Sequence, residues 1–226
     1  MSGLTDQASG TAPSRRPGAG EARRRWEAAM LEEIERLRID LRRTDPGVIA
    51  GRVGGLWGDG VIVVNYWGQA ARIPWSTLQP MSDSGGPLSS FDAAMLLHHL
   101  RSSDGAAPAG RWISFRELPG GEFYHQAYLG YTGGRLARAF GPRPDEFDAA
   151  ASSFGDRLEA PAPHTWRFTP LPRVLLAACL WPGDDEVSAQ ASVLFDENAG
   201  RHLPTDGLAL LGAGLTGRLL SAAGQD

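Results

Sequence analysis

The chain has 226 residues, 42% of them hydrophobic and 21% charged, with a formal net charge of −4 and one cysteine. That balance suits a soluble globular protein with enough apolar residues for a core. It excludes a general nucleic-acid binder, which would carry a basic stripe, and a lone thiol excludes both an intrachain disulfide and a thiolate-clustered metal site. No apolar run reaches the roughly 18 residues of a membrane span, and the N-terminus lacks the apolar segment of a secretion signal, so the expected address is cytoplasmic. All 22 basic residues are arginines, which removes lysine Schiff-base chemistry and the lysine of a phosphate-binding loop.

Residues 1–20 are rich in Gly, Ser, Ala, Pro and Thr, a composition that cannot bury a core, and are expected to form a disordered tail. Over residues 21–44 the period changes. Trp26, Met30, Ile34, Leu37 and Leu41 fall on one stripe of an Arg-rich amphipathic helix, and Thr44-Asp45-Pro46-Gly47 is read as its end. Residues 48–223 are expected to form one α+β domain. Residues 48–75 read as a three-stranded meander that starts with Val48-Ile49-Ala50 and turns at Asp59-Gly60 and Gly68-Gln69. Ser89 or Ser90 caps the next helix, Phe91–Arg101. On it His98 sits at the rim of the apolar arc and His99 within it. Adjacent helical residues diverge by about 100°, so the two do not clamp one metal ion; His99 reads as a hydrogen-bonded core residue.

Trp112 to Leu118 alternates as a strand, with Trp112, Ser114 and Arg116 on one face and Ile113, Phe115 and Glu117 on the other. Pro119-Gly120-Gly121 turns into a helix expected from about Glu122 to Phe140, and a second helix is expected from Pro144 to Phe154. Thr165–Phe168 is a strand, and Val174–Trp181 pairs with Val187–Asp196 as a hairpin. Cys179 inside that hairpin reads as a buried, inert thiol. Thr205 or Asp206 caps a last helix striped by Leu208, Leu211, Leu215 and Leu219. The fold class is therefore α+β: antiparallel hairpins and a meander packed against three or four helices.

Gly212-Ala213-Gly214-Leu215-Thr216-Gly217 spells the dinucleotide-binding pattern, but that pattern requires a strand before it and a further strand with an acid about 20 residues on. The glycines read instead as places of close approach to a neighbouring element. No serine stands in a nucleophile elbow. The chemistry-bearing residues concentrate in Trp112-Ile113-Ser114-Phe115-Arg116-Glu117-Leu118-Pro119-Gly120-Gly121-Glu122-Phe123-Tyr124-His125. Candidate ligand-binding residues are Trp112, Arg116, Glu117, Tyr124 and His125, with His98 from the upstream helix. Arginine beside indoles can grip a carboxylate or phosphate, or can stack and pair structurally.

That stretch resembles the signature of an uncharacterised bacterial and archaeal family called domain of unknown function 3786. Leu97-His98-His99-Leu100 upstream, and Leu194-Phe195-Asp196 with His202-Leu203-Pro204-Thr205 downstream, are the other matching blocks. The resemblance runs from about Val48 to the C-terminus. It carries no reaction and no cofactor. Some members resemble fusions to a cysteine-rich iron–sulfur segment, which implies a link to redox or corrinoid metabolism; this chain has no cysteine ahead of residue 179. Three readings follow. The first is a module binding a small anionic or planar ligand, favoured because the densest motif mixes aromatics with a cation. The second is an accessory protein docking a partner through Trp26, Met30, Ile34, Leu37 and Leu41. The third is an enzyme using Glu117 or His125 as acid or base.

Overall fold

The computed structural model describes residues 19–184 and 186–225, with side chains from residue 28 onward. Residues 1–18 of the expected tail lie outside that range. In chain order the elements are α1 (Ala19–Leu41), α2 (Pro46–Val53), β1 (Leu56–Gly58), β2 (Val61–Tyr66), β3 (Gln69–Pro74), β4 (Met81–Ser82) and α3 (Ser90–Ser102). There follow β5 (Trp112–Ser114), α4 (His125–Tyr131), α5 (Gly133–Phe140), α6 (Pro144–Ser152), β6 (Asp156–Leu158), β7 (His164–Leu171), β8 (Val174–Trp181), β9 (Gln190–Asp196) and α7 (Thr205–Ala222). The strands form two antiparallel sheets, ordered β1-β2-β3-β4 and β5-β9-β8-β7-β6. The fold is α+β.

The first sheet follows from alternation and from its turns. Ile62, Val64 and Tyr66 of β2 point into the core while their neighbours face outward. Both hairpins turn on two residues in the left-handed region, Asp59 (φ 50°) with Gly60 (75°) and Trp67 (51°) with Gly68 (81°), the twist that two-residue hairpins favour. Tyr66 then ties the sheet to α3: its hydroxyl donates to Asp92 Oδ1 at 2.7 Å, and Ser89 caps the helix by accepting from the Asp92 amide at 3.1 Å.

Three expected elements change. Val48-Ile49-Ala50 lies in α2, not in a strand, because Asp45 is an N-cap, its carboxylate accepting from Val48 N at 3.0 Å, with Pro46 in the first turn. The strand from Trp112 ends at Ser114. There Glu117 Oε2 accepts from both the amide and the hydroxyl of Ser114 at 2.8 Å, and Phe115–Glu117 winds into a 3₁₀ turn. The single helix over 122–140 is broken at Thr132 (φ −117°, ψ −96°), where the backbone of Gly133 presses on β9; a Cβ there would stand 2.1 Å from the Ala191 carbonyl oxygen.

One apolar cluster runs through both sheets and α1, α2, α3, α6 and α7, including Leu37, Ile73, Leu96, Phe147, Phe195 and Leu215. A smaller one lies on the opposite face of the second sheet, where Ala162, Ala177 and Cys179 are covered by Trp112, Trp181 and Leu194. Burial pushes the Cys179 thiol up to about 11, so it stays protonated and unreactive. Ile34, Leu37 and Leu41 of the α1 stripe are buried against the body of the molecule, where α1 packs along α3.

Candidate functional site

The N-terminal half of α3, the start of α7 and the middle of α1 enclose a cleft of about 450 Å³. Its walls are apolar: Met30 from α1, Phe91, Ala94 and Met95 from α3, and Leu210 from α7. Polar groups stand among them. His98 Nε2 lies 3.5 Å from Glu33 Oε1, across the α1–α3 contact. Burial lowers the His98 pKa and the Glu33 charge only partly restores it, so the neutral imidazole is favoured at neutral pH. Asp206 lies in the first turn of α7, where a carboxylate suits the positive end of the helix. Among the described residues it has no ion pair. The α3 wall repeats the sequence logic of its helix: Met95 faces inward, and one turn on His99 lies in the core and His98 at the rim.

The six candidate residues do not share one site. His98 lines the cleft. Trp112 lies half-buried on the outer face of the second sheet, over Ala162 and Cys179. Arg116 is exposed on the 3₁₀ turn, since the strand parity that placed it beside Trp112 ends at Ser114. Glu117 is held below the ordinary carboxylate range by the two hydrogen bonds from Ser114. It borders a separate hollow of about 470 Å³ with Leu118, Gly200 and the Arg111–Glu197 ion pair. Tyr124 is exposed, and His125 opens α4 with its Nδ1 buried and unbonded.

Two constellations escape the sequence reading. Asp148 of α6 joins β6 and β7: it accepts from Trp166 Nε1 at 2.6 Å, from Arg157 at 2.7 Å and lies 2.8 Å from His164 Nδ1. Burial raises its pKa, but the Trp166, His164 and Arg157 hydrogen bonds outweigh that and hold it low. The contacts span 9 to 18 residues along the chain, and no periodic pattern links them. In the core, His99 and His202 bring together the first and last of the matching sequence blocks, their rings 6.1 Å apart. Ser103 Oγ donates to the Arg52 carbonyl at 3.0 Å and lies 2.8 Å from His202 Nδ1, so that nitrogen carries the proton and the serine oxygen accepts it. All three side chains are buried. The His99 ring, expected to be hydrogen-bonded, interacts with the backbone of Val53 and His202, in contacts too long or bent to satisfy its nitrogens fully.

Among the described residues no three His, Cys, Asp or Glu side chains cluster as a metal site, and no helix is long and apolar enough to cross a membrane. Fold and site together define an α+β protein of two antiparallel sheets with an apolar cleft walled by helices. The chain belongs to the family described as a domain of unknown function (DUF3786), whose model matches residues 45–218. No curated protein and no solved structure matches it.

Proposed function

We propose that the protein is a binding module for a small, largely apolar molecule, seated in the cleft between α1, α3 and α7. The observation that supports this is the cleft itself. Its volume of about 450 Å³ and its wall of Met30, Phe91, Met95 and Leu210 match the size and lining of small-molecule sites, with a few polar groups to orient the ligand. His98 is the sequence candidate that this reading retains. Docking a partner through the α1 stripe has less support, because Ile34, Leu37 and Leu41 are already covered by the chain itself. Catalysis by Glu117 has less support too, since its carboxylate is engaged in capping Ser114.

The test uses a neutral solvatochromic dye, Nile red, titrated against the full chain. Saturable binding with a blue-shifted emission is expected. Leu210→Trp, at an exposed position on the α7 wall, is expected to abolish it by filling the cleft, with circular dichroism unchanged. Ala29→Trp repeats the block from the exposed α1 wall. Absence of saturable binding, or equal binding by both variants, would overturn the proposal.

A further inference from the structure

This inference rests on the cleft as the binding site and concerns what enters it. The chain has 22 arginines, yet among the described residues lining this cleft none is an arginine; its charged or titratable groups are the His98 imidazole and two carboxylates, Glu33 and Asp206. Glu33 is shared with His98 at 3.5 Å and with Arg36 at 3.3 Å, which stands outside the cleft on the next turn of α1. Asp206 has no ion pair among the described residues. The remaining wall is apolar and includes the thioethers of Met30 and Met95, which are soft, polarisable surfaces. An anionic head would meet two like charges, with only the Glu33-paired His98 imidazole to receive it, whereas an ammonium head would lie between Asp206 and the Glu33–His98 pair with its apolar body against the methionines.

We infer that the cleft is selective for hydrophobic organic cations, an alkyl or aryl amine in its protonated form. This reverses the anionic ligand expected around Arg116, because Arg116 does not line the cleft.

The experiment compares three probes of one chain length, octylammonium, octanol and octanoate, by isothermal titration of the full chain at pH 7.5 and low salt. Octylammonium is expected to bind roughly twofold to fivefold tighter than octanol, the range that partly exposed ion pairs supply, with octanoate weakest. Raising the salt is expected to shrink the preference. The Glu33→Gln, Asp206→Asn double variant is expected to bind all three alike. If octanol and octanoate bind the wild-type chain as tightly as octylammonium, the charge selectivity is wrong while the cleft stands. If the double variant keeps the preference, the cation sits elsewhere and the inference also fails. If none of the three binds, the cleft is not a ligand site at all.

Discussion

Burial holds the His99 imidazole neutral, with its pKa down to about 4, and the neighbouring His202 adds to the effect. In the unfolded chain the same group titrates near 6.5. Its contribution to stability is therefore fully present above about pH 6.5 and is lost as the pH falls through the folded value near 4, because the unfolded state binds the proton first. The two pKa values imply roughly 3 kcal/mol of acid destabilisation from this residue alone. His98 and His202 are depressed in the same direction, chiefly by burial. Urea unfolding followed from pH 7.5 to 4.5 is expected to show a falling midpoint in the wild-type chain. His99→Leu, which removes the titrating group from a buried site, is expected to show a flatter profile. An unchanged acid slope in that variant would rule out His99 as the source. The Tyr66 hydroxyl adds nothing in this window, since burial and Asp92 raise its pKa far above it.

At the scale of elements, the glycines of α7 separate by what their neighbours are. A Cβ on Gly212 would stand 2.3 Å from the Tyr128 hydroxyl, whereas one on Gly217 would meet nothing within 4 Å. Gly214 lies under the Trp67 indole, which also stacks on Arg218 at 4.2 Å. The close approach expected of these glycines is thus found at Gly212 alone; a Cβ on Gly214 would make ordinary contacts at 3.8 Å. Gly212→Ala is expected to destabilise by about 1–3 kcal/mol through overpacking against Tyr128, and Gly217→Ala to stabilise by up to about 1 kcal/mol through helix propensity. Thermal melts of the two variants check both signs; equal effects would mean that the Tyr128 contact does not govern the packing. Periodicity made most such elements legible: β8 has the expected bounds Val174–Trp181, and α3 begins after the expected Ser89 cap. The misses were legible too, at a finer grain. Asp45-Pro46 is an N-cap followed by a first-turn proline, and Ser114-Phe115-Arg116-Glu117 is a capping box; either outranks the alternation beside it. The break at Thr132 was not legible, because it depends on how closely Gly133 approaches a strand far away in sequence.

Over the whole molecule, α1 holds a distinctive position. It precedes the region that matches the family, residues 45–218, yet Ile34, Leu37 and Leu41 belong to the same core cluster as both sheets, and Met30 and Glu33 complete the cleft. A helical stripe in a sequence states which face is buried and not what buries it; in the fold, α3 packs along this stripe. The cleft shares that limit: its walls come from residues 29–33, 91–98 and 204–210, three segments whose approach no local pattern encodes. If α1 is part of the cooperative unit, Ile34→Asp places a carboxylate where the native side chain is 4% exposed. It is expected to cost about 3 kcal/mol or more, lowering the urea midpoint of the entire chain in one transition. Hydrogen exchange is the sharper measurement, because it reads α1 and the sheets separately. In the wild-type chain the amides of residues 34–41 are expected to share the protection of β8. In Ile34→Asp the protection of α1 and of β8 is expected to fall together, along with binding in the cleft. Loss confined to residues 28–41, with β8 unaffected, would show that α1 is an independent segment resting on the domain.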